Sequence, residues 1–176
     1  MMKKAILCAT LMGALQGAAA EPLPAGTLIT ATASGAATGM LGLDHLFADE
    51  PGSETTALAA ADLEYLSNDY AMAVDFFTDG RINFHANTDA TQLPGSYTLS
   101  FSFAGLTQPL AGFTLSDTSG LSAGTITPLL LDGNRISISF SELSFSDSYG
   151  SFSAQLSLLA VPEPGSFALF RSEEHT

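Results

Sequence analysis

Two histidines, a scatter of turn carboxylates and many serines are the side chains in the body of this sequence that could do chemistry. His45 follows Asp44, an adjacent pair that could share a metal, but no His-x-x-x-His spacing and no cysteine ligand accompanies it. His85 stands between Asn83 and Asn87 in an alternating stretch and reads as a solvent-facing strand residue. None of the serines sits in a Gly-x-Ser-x-Gly elbow. The Gly35 to Gly42 stretch lacks the lysine of a phosphate loop. The carboxylates are the better candidates. Asp75, Asp79 and Asp89 are expected to cluster around one hairpin, and Asp132 and Asp147 lie in turns. Calcium takes several oxygen ligands from such loops, so Asp75, Asp79, Asp89 and Asp132 are the calcium candidates. Their spacing is not the regular Asp-x-Asp-x-Asp-Gly of a dedicated loop, and Asp also favours turns because its side chain bonds the local backbone. The turn reading is preferred. No catalytic residue and no cofactor is assigned, calcium being the one ion left open, and the chain is not expected to be an enzyme.

The elements that must carry these residues read as strands. Tyr97, Leu99, Phe101 and Phe103 alternate with Thr98, Ser100 and Ser102, the period of a strand with one wet face. Ile136, Ile138 and Phe140 alternate with serines, and Leu143 and Phe145 are expected to continue the run. Phe152, Ala154, Leu156 and Leu158 repeat the pattern. Turn signals separate them at Pro94-Gly95, Asp117 to Gly120, Asp132-Gly133-Asn134 and Asp147 to Gly150. Thr78-Asp79-Gly80, between Met72 to Phe77 and Arg81 to Ala86, is a strong hairpin signal. Gly26 to Ala33 reads as the first strand and Ser34 to Gly42 as a loop. Residues 57–67 are ambiguous: Leu58, Asp62 and Leu66 are helically spaced and Ala59-Ala60-Ala61 favours helix, yet a loop over a sheet edge fits equally. The expectation is an all-β, antiparallel β-sandwich, jelly-roll-like, with at most one short helix around 57–67.

Composition limits the partners. Between Glu21 and Phe170 there are sixteen acidic residues and two basic ones, Arg81 and Arg135, a net charge of −14. Such a chain repels nucleic acid and anionic headgroups, and no nucleic-acid partner is expected. The hydrophobic fraction of 46% is too high for a disordered chain.

The ends give an address. Met1-Met2-Lys3-Lys4 is a basic n-region, Ala5 to Ala14 an apolar core, and Ala18-x-Ala20 a leader-peptidase site. Residues 1–20 are therefore expected to be a signal peptide, and 21–161 the sandwich domain. Cys8 lies inside the apolar core, too early for a lipoprotein site, so the mature chain would hold no disulfide. At the other end, Val161-Pro162-Glu163-Pro164 is followed by Gly165-Ser166 and the apolar Phe167-Ala168-Leu169-Phe170. This resembles the PEP-CTERM sorting signal, in which a Val-Pro-Glu-Pro motif precedes an apolar membrane segment and a terminal arginine cluster. The sequence departs from that pattern after Phe170. Residues 162–170 are then the start of a sorting and anchor segment. Residues 171–176, Arg171-Ser172-Glu173-Glu174-His175-Thr176, read as a non-native tail resembling translated sequencing adapter. A bilayer span needs about 20 apolar residues, and this run is far shorter.

The resemblance implies Val161, Pro162, Glu163 and Pro164 as the motif read by an exosortase-type sorting enzyme. It implies membrane insertion through the missing part of the C-terminal segment, and export across the inner membrane of a Gram-negative bacterium to the envelope, surface or exterior. Members of the family are associated with exopolysaccharide and biofilm. The functional expectation is an exported surface or matrix structural protein. The alternative is an extracellular glycan-binding module, with Tyr65, Tyr70, Tyr97 and Tyr149 as possible aromatic platforms and Tyr97 reading as core.

Overall fold

The computed structural model describes residues 23–160. The expected signal peptide with Ala18 and Ala20, the motif Val161, Pro162, Glu163 and Pro164, the 162–170 segment and the 171–176 tail lie outside the described residues.

Alternation of apolar and hydroxyl residues builds the molecule. Eleven strands are described: β1 (Leu28–Gly35), β2 (Met40–Gly42), β3 (Thr55–Ala57), β4 (Tyr65–Ser67), β5 (Met72–Phe76), β6 (Arg81–Ala86), β7 (Ser96–Ala104), β8 (Leu110–Asp117), β9 (Leu121–Asp132), β10 (Arg135–Phe145) and β11 (Ser151–Leu158). They form two antiparallel sheets, a five-stranded one in the order β3-β1-β7-β10-β9 and a six-stranded one in the order β2-β4-β5-β6-β11-β8. The chain repeatedly crosses between the sheets, so each sheet is completed only by strands distant in sequence. The result is the antiparallel sandwich expected from the sequence. Among the described residues, no helix is long and apolar enough to cross a membrane.

Both inner faces are apolar because every second residue points inward. Leu99, Phe101 and Phe103 of β7 and Ile136, Ile138 and Phe140 of β10 meet Val74, Phe76, Ile82, Phe84, Phe152 and Ala154 of the other sheet in one buried cluster. Rings tie the two layers together. Phe76 and Phe101 lie edge to face at 5.1 Å between centroids, and Phe140 meets Phe152 at 6.0 Å. Phe84 and Phe152 stack at 4.8 Å within the six-stranded sheet. Full burial of each such side chain contributes about 1.5–3 kcal/mol, and an aromatic pair about 1 kcal/mol more.

Over residues 57–67 the loop is the alternative that forms, and two further local features differ from the sequence expectation. Residues 57–67 hold no helix. They run from the end of β3 through turns into β4, with Leu58 and Tyr65 buried in the core. The only helical turn among the described residues is the short 3-10 turn Leu43–His45. Core burial and pairing at both ends outweigh the alanine propensity between them. Part of the expected 34–42 loop is the short strand β2, paired with β4. The phase of β10 also breaks. Phe140 and Leu143 are three residues apart yet both buried, because the ladder shifts between Ser141 and Ser144 and Glu142 turns left-handed at φ 53°. That bulge resets the inward phase for Leu143 and Phe145. The Asp79-Gly80 hairpin forms as expected. Gly80 adopts φ 84°, and a Cβ there would lie 2.7 Å from the Leu156 carbonyl oxygen.

Candidate functional site

The hairpin β5–β6 sets the positions of the calcium candidates, and it separates them. Asp79 lies in its turn, where its carboxylate accepts the Arg81 amide at 2.9 Å. Asp89 follows the far end of β6, so the length of that strand, about 20 Å, stands between the two. Asp75 is half-buried on the outer face of β5. Asp132 ends β9, and its carboxylate accepts the Asn134 amide at 3.0 Å and the Arg135 guanidinium at 2.7 Å. Asp79 and Asp132 are used as turn chemistry uses an aspartate, Asp75 lies within a strand, and the four do not converge. Among the described residues, no three His, Cys, Asp or Glu side chains gather where a metal could be held.

The histidines likewise go to separate neighbourhoods. His45 Nδ1 meets the Glu50 carboxylate at 2.9 Å, while Asp44 turns away to accept the Ala57 amide at 2.9 Å. His85 stands on the outer face of the six-stranded sheet in the same patch as Asp75, Asn83 and Arg81. Burial pushes the His85 imidazole below its usual pKa, and nearby Asp75 opposes this. Burial raises the Asp75 carboxyl, with His85 and Arg81 acting the other way. Arg81 lies over the Phe77 ring at 3.8 Å.

Two polar clusters were not singled out by sequence reasoning. Glu64 is fully buried just before β4. One carboxylate oxygen accepts the Ala59 amide at 3.0 Å and the other accepts the Phe76 amide at 2.7 Å. The side chain therefore clasps the β3–β4 loop to the end of β5. Burial pushes its pKa up to about 7, against the lowering effect of the two amides, and Asp75 adds to the rise. Beside it, the buried Tyr65 hydroxyl donates to the Ile29 carbonyl and also lies 3.2 Å from the Glu54 carbonyl. In the second cluster, the Asp69 carboxylate accepts hydrogen bonds from Ser67, from the Tyr97 hydroxyl at 2.7 Å and from the Ala71 amide at 3.2 Å. Burial acts to raise the Asp69 pKa, but these donors outweigh it and hold the carboxyl below its usual range. The partners that bury these carboxylates, Phe76 for Glu64 and Tyr97 for Asp69, lie twelve and twenty-eight residues away, beyond any local spacing.

The outer face of the five-stranded sheet is a hydroxyl array. The register aligns Thr55, Thr30 and Ser102 in one row, Thr32, Ser100 and Ser137 in the next, and Ser34, Thr98, Ser139 and Thr127 in a third. Neighbours across strands bond one another: Thr30 with Thr55, Thr98 with Ser139 and Ser100 with Ser137, each at 3.0 Å. These pairs stabilise the sheet and leave a neutral, wetted face.

The four tyrosines divide evenly. Tyr65 and Tyr97 are core residues, and Tyr70 and Tyr149 are exposed. Comparison with known proteins returns no matching family model, no matching curated protein and no matching solved structure.

Proposed function

We propose that this chain is an exported structural protein, held at the surface or in the extracellular matrix of a Gram-negative bacterium and sorted by an exosortase-type enzyme through Val161-Pro162-Glu163-Pro164. The observation that supports this best is where the sandwich finishes. Strand β11 is an interior strand, hydrogen-bonded to β6 on one side and β8 on the other. Its last residue, Leu158, is buried, and the Leu159 amide donates to the Pro109 carbonyl at 2.8 Å. The ladder is complete there, and the motif begins at Val161. A sorting enzyme must reach its motif in an extended chain, and a motif just past a completed sandwich can be cut without opening the fold. The basic-apolar-small order of residues 1–20 supports entry to the export pathway. The acid excess keeps the domain soluble outside the cell and away from nucleic acid.

The test is expression, with the full native C-terminal coding region, in a Gram-negative host with and without an exosortase gene. The leader is expected to be removed after Ala20, and C-terminal processing is expected only when the exosortase is present. Combined Pro162→Ala and Glu163→Ala substitutions are expected to abolish that processing while export continues. A chain that keeps its leader, or that is processed equally without the enzyme or the motif, would overturn the proposal.

A further inference from the structure

Most aromatic rings among the described residues are spent in or against the core. Two are exposed: Tyr70 is 54% exposed and Tyr149 is 63% exposed. Tyr70 sits in the turn between β4 and β5, and Tyr149 in the turn between β10 and β11. Both adopt the left-handed backbone, at φ 59° and φ 56°. That conformation costs a side-chain-bearing residue about 1 kcal/mol, and glycine or asparagine would take it more readily. Each turn thus holds a large ring in solvent at the expense of stability, an arrangement typical of functional positions.

The two turns belong to one end of the sandwich, joined by the continuation of β6. The Asn87 amide donates to the Ala71 carbonyl at 2.8 Å, and its side-chain amide donates to the Tyr70 carbonyl at 2.9 Å. On the other side, the Ala86 amide donates to the Gly150 carbonyl at 2.9 Å and the Tyr149 amide donates to the Thr88 carbonyl at 3.2 Å. Residues 86–88 therefore run between the turns. Two strand spacings put the tyrosine backbones about 10 Å apart. The Ser148 hydroxyl, donating to the Asp89 carbonyl at 2.7 Å, fixes Asp89 and Asp147 to the same end. The two arginines of the domain are at the opposite end: Arg81 opens β6 next to the hairpin turn, and Arg135 opens β10.

We propose that this end of the sandwich binds an uncharged extracellular polysaccharide, with sugar rings stacking on Tyr70 and Tyr149 and their hydroxyls donating to Asp89 and Asp147. A pyranose presents an apolar C–H face and a rim of hydroxyls. Tyrosine supplies a rigid ring with a polar tip, and a carboxylate supplies two acceptors. Among the described residues no arginine or lysine stands at this end, and unpaired carboxylates there repel anionic chains, which selects a neutral glycan over an acidic one. Rings separated by about 10 Å suit successive units of a linear chain better than one small ligand. The inference deepens the surface-protein reading by naming a partner. Its test is made in solution, so failure here leaves sorting unaffected, and failure of sorting leaves this site intact.

The full chain, purified after export from an expression host, is run in native gels containing hydroxyethyl cellulose, galactomannan, dextran, alginate or the cationic DEAE-dextran. Retardation is expected in at least one neutral gel and not in alginate. Tyr70→Ala and Tyr149→Ala are each expected to weaken retardation at least fivefold, and the double variant to abolish it. Tyr149→Phe should retain most of it, because the ring does the stacking. Melting curves of all variants should match the parent, since both side chains are in solvent. No retardation in any neutral gel, equal retardation of the double variant, or retardation by DEAE-dextran alone would overturn the proposal.

Discussion

Glu64 carries more physical consequence than any other single residue described. Its folded pKa of about 7 lies above the ordinary value of 4.5, so the folded state holds the proton more tightly than the unfolded chain does. The stability this contributes is complete below pH 4.5 and is lost as pH rises through 7. At 1.36 kcal/mol per unit, the loss across that window is at most about 3 kcal/mol. His85 works in the opposite direction, because burial lowers its pKa and stability is lost as pH falls and its ring is protonated. The clean measurement is therefore a difference. Urea unfolding at pH 5 and pH 8 should show a stability drop in the parent that Glu64→Gln largely removes. The variant should also be less stable at pH 5 by about 1–3 kcal/mol, since a carboxamide cannot accept from both the Ala59 and Phe76 amides. Parallel pH profiles for parent and variant would show that Glu64 is not the titrating group. Nothing in the sequence marked this residue. Glutamates are almost never fully buried, and its two donors lie five residues before it and twelve after it, outside any local pattern. The exposed tyrosines were legible as a list of four, but which two leave the core depends on strand phase and on the left-handed turns at Tyr70 and Tyr149.

Among the elements, β7 and β11 are readable from alternation along their whole length, and β10 as far as its bulge at Glu142, because one face is buried and the other wet. The three-residue strands β2, β3 and β4 are not, since three residues carry no period and their pairing is settled by the strands around them. Strand β9 fails for a different reason. It is an edge strand of twelve residues with no buried position, so the run Leu129-Leu130-Leu131 replaces alternation. Leu129 and Leu131 are 54% and 46% exposed, which makes β9 a template for pairing with a second chain. Pro128 sits in the middle of it opposite Ile138, where the missing N–H interrupts the free edge. Pro128→Thr should therefore leave the fold intact and increase association. Light scattering at rising protein concentration is expected to show dimers or larger species in the variant at concentrations where the parent is monomeric. An unchanged mass would mean that the twist of the edge or the neighbouring charge already protects it.

At the scale of the molecule, the order in which the chain visits the two sheets makes the sandwich one cooperative unit. The six-stranded sheet is closed by β11, which arrives last and inserts between β6 and β8, so neither half of the chain can bury its apolar face alone. Phe152 links both layers through Phe84 and Phe140. A chain ending at Gly150 would lose that strand and the Phe152, Ala154, Leu156 and Leu158 side chains, all buried. The transfer loss from these four residues alone is about 5–10 kcal/mol, comparable to the whole stability of a domain this size. Such a chain is expected not to fold, giving no cooperative melting transition and exchanging its amides rapidly. A chain ending at Ala160 keeps every strand among the described residues and the Leu159 bond to Pro109, and is expected to melt within a few degrees of the longer one. The contrast between those two truncations, ten residues apart, is what a sorting motif placed after a self-sufficient domain requires. If the chain ending at Ala160 were also unfolded, the residues from Val161 onward would be part of the fold, and cleavage at the motif would cost the protein its structure.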